Sequence, residues 1–126
     1  MTLASLSLCT SVLLSAALAG PPPKTPKPTP KPTAAEIAAG KKVYEANNCK
    51  ACHAINGDGG PTGPDLSKEG ADAKHTAAWL KIQVIKPKEH SPNGSMPAYE
   101  DKIKGKDLTN LVSYLGSLKG AVAKPK

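Results

Sequence analysis

Cys49-Lys50-Ala51-Cys52-His53 is the stretch of this chain whose residue types and spacing together specify a chemistry. Two thiols three positions apart on a helical turn project the same way, and a histidine follows directly. A Cys-x-x-Cys-His run is the pattern of covalent haem attachment. Both sulfurs add to the vinyl groups of one porphyrin and His53 meets the iron, so five residues fix a porphyrin edge and one axial ligand together. Three rival readings are weaker. A thioredoxin-like redox pair wants a βαβ pattern around it, and the chain carries no strand signal. A zinc site would recruit His75 or His90, but His53 immediately beside a ligating Cys52 strains a tetrahedron, and there is no second paired motif. A disulfide between Cys49 and Cys52 would close a tiny loop and leave His53 without a role.

Iron held by one histidine needs a sixth ligand or a deliberate vacancy. Met96 lies in the loop Ser91-Pro92-Asn93-Gly94-Ser95-Met96-Pro97-Ala98-Tyr99, where a core-filling methionine is out of place among Pro, Gly and Ser. A thioether favours ferrous iron relative to a second imidazole and so raises the potential. His75 and His90 are the rival ligands, both expected to be exposed in lysine-rich surroundings.

The elements that must position these groups are helical. Thr33-Ala34-Ala35-Glu36 has the form of a capping box, and the helix it opens runs to about Asn47, with Ile37, Gly40 and Tyr44 on one face. Gly40 in mid-helix costs about 1 kcal/mol relative to Ala, which predicts a backbone passing close by. Trp79, Leu80, Ile82, Val84 and Ile85 predict a short middle helix over 76–85, stopped by Pro87. Leu108, Leu111, Val112, Leu115 and Leu118 predict a closing amphipathic helix over 106–119, whose apolar face is the natural partner of the Gly40 face. The Gly- and Pro-rich segments 56–66 and 87–97 are expected to be loops.

The bulk composition agrees with one small domain built on a cofactor. The chain has 126 residues, no Phe, one Trp and three Tyr, which is little material for a core. Small domains commonly lean on a metal or another staple. Residues 1–19 are uncharged, rich in Leu, Ala and Ser, and end in Ala17-Leu18-Ala19, the pattern of a secretory signal. Cys9 lies within it and is expected to be discarded with it. Residues 20–32 form a Pro/Lys-rich linker, which in the polyproline conformation spans roughly 40 Å. It serves as a basic tail if the signal is removed, or as a tether if the signal is retained as an anchor. The folded domain is expected over 33–126. The formal charge is +7, and all 17 basic residues are Lys. Without Arg forks or stacking aromatics, this basicity does not read as a nucleic-acid site. It suits transient docking to acidic proteins.

From Thr33 to Lys119 the chain resembles the class I c-type cytochromes. The resemblance rests on Gly40 and Tyr44 in the first helix, on Cys49, Cys52 and His53, on Gly63, Pro64 and Leu66, on Trp79 and Leu80, on Ser95, Met96 and Pro97, and on Tyr114 and Leu115, all in the family's order. It departs at the start of the closing helix, where Lys104-Gly105 stands in place of Ser-Asp. The resemblance implies an all-α fold of three to four helices and Gly/Pro-rich loops wrapped around one covalent haem c. It implies that the Pro64 carbonyl accepts a hydrogen bond from the His53 ring, and that Trp79 either hydrogen-bonds a haem propionate or packs in the core. The function expected is that of a monomeric, periplasmic or otherwise exported one-electron carrier with His53 and Met96 on the iron, transforming no substrate itself. Its partners would be larger redox proteins docked on Lys50, Lys81, Lys86 and Lys88 around the haem edge. Two alternatives stay open: a membrane-tethered haem module serving one fixed enzyme, and a sensor or peroxidase-like protein with a labile Met ligand.

Overall fold

The computed structural model describes residues 31–120. The signal, Cys9 and nearly all of the linker therefore lie outside the described residues, as do the last six positions. Three α-helices carry the described part: α1 (Ala34–Ala46), α2 (Ala77–Ile85) and α3 (Gly105–Ser117). Among the described residues there is no strand, only an isolated antiparallel bridge between Ile55 and Asp58. The expected all-α architecture is the one observed.

α1 starts where its capping box places it. Thr33 Oγ1 accepts from the Glu36 N–H at 3.2 Å, and Glu36 Oε2 accepts from the Thr33 N–H at 2.8 Å, so two otherwise orphaned donors are satisfied reciprocally. α2 is capped by Thr76, whose hydroxyl accepts from the Trp79 N–H. It ends before Pro87, which is itself buried. α3 opens one residue earlier than its periodicity predicts. Gly105 takes φ +54°, a left-handed value that glycine adopts at no steric cost, and Lys104 provides no side-chain cap.

α1 and α3 cross at Gly40. A Cβ at that position would lie 2.0 Å from the Asn110 carbonyl oxygen, so hydrogen is the only side chain the crossing accepts. Leu108, Leu111, Val112 and Leu115 of α3 are buried with Tyr44 of α1 and with Leu80 and Val84 of α2. Ile103, in the turn before α3, is the least exposed of the core side chains at 1%. Three single-turn 3₁₀ segments stand outside the helices: Cys49–Ala51, in agreement with the helical turn expected of the motif, Glu69–Ala71, and Pro87–Glu89, which opens the segment 87–97 expected to be a loop.

Candidate functional site

The Cys49–Ala51 turn follows α1 after Asn48, which takes φ 55° and bends the chain back. Both His53 N–H and Cys52 N–H donate to the Cys49 carbonyl, at 3.0 and 3.1 Å. The five-residue motif is thus one compact turn. Segment 60–66 is laced against it by three backbone bonds, from Gly60 to Lys50, from Gly63 to Cys52 and from Leu66 to Ala54. Cys49 is half-buried and Cys52 exposed. Burial pushes the Cys49 thiol above its ordinary value, outweighing a backbone hydrogen bond that lowers it.

His53 is fixed from three sides. Its Nδ1 lies 2.8 Å from the Pro64 carbonyl oxygen. A carbonyl only accepts, so the proton resides on Nδ1, and Nε2 keeps its lone pair. Gly63 lies flat against the ring, where an added Cβ would fall 2.6 Å from Cε1. The Tyr44 hydroxyl donates to the His53 carbonyl at 3.0 Å, tying the motif to α1. Burial of that phenol raises its pKa to about 12.

Cys49, Cys52, His53, Pro64, Trp79 and Met96 all line one open cavity of about 360 Å³. Its floor is apolar, with Leu80, Ile103 and Leu111 among the contributing side chains. The structure therefore brings together the six residues expected to hold the cofactor. Met96 is held in its loop by two contacts. Gln83 Nε2 donates to its sulfur at 3.6 Å, and Lys88 Nζ donates to the Gly94 carbonyl. A large apolar cavity, bordered by two thiols, an imidazole with a free nitrogen and a thioether, suits a flat hydrophobic group with iron at its centre. The low aromatic content of the chain is explained by the same space, since the helices do not fill it themselves.

The surroundings of Trp79 correct one expectation. His75 and His90 are not free surface residues but are partly buried, one against each face of the indole. The His75 and Trp79 rings stack at 3.9 Å and 10°, and Trp79 and His90 at 4.4 Å and 5°. His90 Nδ1 lies 3.1 Å from Gln83 Oε1. His75 Nδ1 lies 2.9 Å from Glu69 Oε1, but off the line a hydrogen bond requires. His75 precedes α2 and its cap, so helical spacing gave no signal for its contact with Trp79, whereas Gln83 stands four residues after Trp79 on α2, one turn away. The lysines also divide: Lys50 pairs with Asp58 at 2.7 Å, and Lys86 with Glu89 at 3.9 Å. Lys81 lines a separate shallow groove beside Leu108 and Val112 instead of the main cavity.

Comparison with known proteins points the same way. The cytochrome c family model matches residues 37–119. Among curated relatives, cytochrome c6 of Cladophora glomerata is 32% identical over 79 residues, covering 63% of this chain and 85% of its own. Cytochrome c oxidase subunit 2 of Alkalihalophilus pseudofirmus is 31% identical over 90 residues, covering 64% of this chain, and a subunit of the nitric oxide reductase of Halomonas halodenitrificans is 29% identical over 89, covering 63%. The chain spans 25% and 56% of those two subunits' lengths, respectively. Among solved structures, the c-type cytochrome SorU from Sinorhizobium meliloti is similar at 21% identity and a TM-score of 0.49, over 68% of this chain and 93% of that one.

Proposed function

Because the chain belongs to the cytochrome c family, electron-transfer proteins with covalently bound haem c, we propose that it is an exported one-electron carrier. It holds one haem, joined through Cys49 and Cys52 and ligated by His53 and Met96. The observation that carries this reading is the convergence of His53, its tautomer set by Pro64, and the Met96 sulfur on one apolar cavity beside both thiols.

The haem, when bound, supplies the one-electron chemistry. What the chain's own residues contribute is rigidity and exclusion of water. Pro64 keeps the proton on Nδ1 of His53, so Nε2 is available as a ligand without further rearrangement. Gly63 and the backbone lacing to segment 60–66 prevent the imidazole from swinging. The Leu80, Ile103 and Leu111 floor keeps the site apolar, which penalises the extra charge of ferric iron. No side chain has to move a proton. Residues 1–19 act as the export signal and 20–32 as a spacer, leaving 33–126 as the electron-carrying domain. The acidic faces of larger redox proteins dock against exposed lysines, Lys50, Lys86 and Lys88 among them.

Intact-mass analysis and optical spectra of the protein matured with a haem-attachment system test the proposal. The expected result is a single haem adduct and, in the ferric form, the red-region band of Met-ligated iron, lost in Met96→Ala. Bare polypeptide, or a band that survives the substitution, overturns it. A second reading, a module serving one fixed enzyme, is favoured by the likeness to subunits of an oxidase and of a nitric oxide reductase. Among the described residues no helix is long and apolar enough to cross a membrane, so fractionation of the native protein, which reads whether residues 1–19 are removed or kept as an anchor, separates the two.

A further inference from the structure

Three contacts run in sequence from the Trp79 indole to the Met96 sulfur. His90 lies flat on Trp79 at 4.4 Å with only 5° between the planes. Its Nδ1 is 3.1 Å from Gln83 Oε1, and Gln83 Nε2 is 3.6 Å from Met96 Sδ. The donors and acceptors can be assigned from the far end. A thioether sulfur accepts and never donates, so the amide must face it with its NH₂ group. The carbonyl end of the amide then points to His90, which must carry a proton on Nδ1 to meet it. Turning the amide over would set an oxygen lone pair against the sulfur and, at the His90 end, two donors against each other.

We infer that His90, held in plane by Trp79, is a positioning residue that turns the Gln83 amide so that its N–H faces Met96 and thereby raises the reduction potential. This rests on Met96 being the iron's ligand, as put forward above. An N–H bonded to the sulfur draws electron density from it and makes it a poorer donor to ferric iron. The positive end of the amide dipole disfavours ferric charge in the same sense. Without the His90 donor, a terminal amide is free to rotate, and in its other orientation it presents a negative oxygen to the sulfur.

The Trp79 platform is braced on its other face by His75, stacked at 3.9 Å, and His75 is in turn flanked by Glu69 and Asp72. Trp79 is thus gripped between two imidazoles, of which His90 is the one that meets Gln83, the side chain in contact with the Met96 sulfur. This gives Trp79 a role distinct from core filling, for it fixes the plane from which His90 donates.

Spectroelectrochemical titration of the haem-loaded protein tests the assignment through donor and ring separately. His90→Phe keeps a flat ring for Trp79 but has no donor, whereas His90→Asn keeps a donor close to the Nδ1 position and loses the ring. Misorienting one hydrogen bond is worth roughly 0.5–1.5 kcal/mol. The Phe variant is therefore expected to shift the ferrous-to-ferric equilibrium about two- to tenfold toward ferric, tenfold being about 59 mV for one electron, with the red-region band retained. The Asn variant should recover most of that shift. In a Gln83→Leu background, His90→Phe should add nothing. An unmoved potential in His90→Phe with the band intact overturns the assignment, as does a shift that persists undiminished in Gln83→Leu. If the Phe variant does not mature, His90→Ala reads the same loss of donor. Absence of the band from the unmodified protein is a different failure: it removes Met96 from the iron and takes this assignment with it.

Discussion

A methyl group on Gly63 would sit 2.6 Å from His53 Cε1, 2.7 Å from Nδ1 and 3.0 Å from Nε2. Such distances require the ring to move, yet the ring is pinned by the Pro64 carbonyl at 2.8 Å and by the turn that carries it. Gly63→Ala is therefore expected to stretch or break the His53–Pro64 hydrogen bond and to destabilise the haem-loaded protein by roughly 1–3 kcal/mol, the usual cost of overpacking. Chemical denaturation of matured protein checks this, and unchanged stability would show that the ring has room to shift. At this scale much of the site was legible in the sequence, because Cys49, Cys52 and His53 are neighbours in one motif and Met96 stands out among Pro, Gly and Ser. Pro64 was reachable only through family resemblance, since nothing local marks a carbonyl as an imidazole's partner. The Gln83–His90 contact was not legible at all. It depends on how the turn after α2 folds His90 back over Trp79, and His90 among charged and polar neighbours looks like a surface residue.

The α1–α3 crossing places two effects in opposition at Gly40. Alanine there should favour the helix by about 1 kcal/mol, but its Cβ would lie 2.0 Å from the Asn110 carbonyl oxygen and 2.7 Å from Tyr114 Cβ. The first of these is backbone inside α3 and cannot yield without separating the helices. Contact should win: Gly40→Ala is expected to lower stability by a net 1–3 kcal/mol or so, a fall of roughly 5–15 °C in melting temperature for a domain of this size. A rise in melting temperature would show that propensity governs the position. The capping box provides an independent check. Thr33→Ala removes the Oγ1 acceptor of the Glu36 N–H and should cost about 1 kcal/mol without altering the optical spectrum, because it acts at the far end of α1 from the motif. The helices and their close crossing were readable from periodicity and from one unfavourable glycine. The 3₁₀ turns Glu69–Ala71 and Pro87–Glu89 were not, for three residues carry no period. Ile103 escaped for the same reason: a lone apolar residue in Asp101-Lys102-Ile103-Lys104 gives no pattern, yet it is the most deeply buried side chain of the core.

Over the whole molecule, the alkaline limb of stability sets lysine repulsion against tyrosine burial. With a formal charge of +7, self-repulsion works against the compact state, and loss of positive charge by itself would stabilise the fold. The tyrosines act the other way. Burial, the largest cause, raises Tyr44 from 10.0 to about 12, and burial likewise raises Tyr99 and Tyr114. A group whose folded pKa lies above its unfolded value contributes stability that is complete below the unfolded pKa and is lost as pH climbs through the folded one. For Tyr44 that window runs from about pH 10 to about 12. The tyrosines should prevail, because their phenols lie against the site and its helices, whereas repulsion between exposed surface charges is screened by salt. Stability of the haem-loaded protein, followed by denaturation at fixed ionic strength, is expected to fall steadily across that window. Tyr44→Phe isolates the leading contributor. It forfeits the hydrogen bond to the His53 carbonyl, about 1 kcal/mol at neutral pH, but has no phenol to ionise, so its curve should be flatter and approach that of the unmodified protein as pH rises. Stability that instead increases between pH 10 and 12, equally in both proteins, would assign the alkaline behaviour to charge repulsion and leave the tyrosine between motif and α1 with a purely packing role.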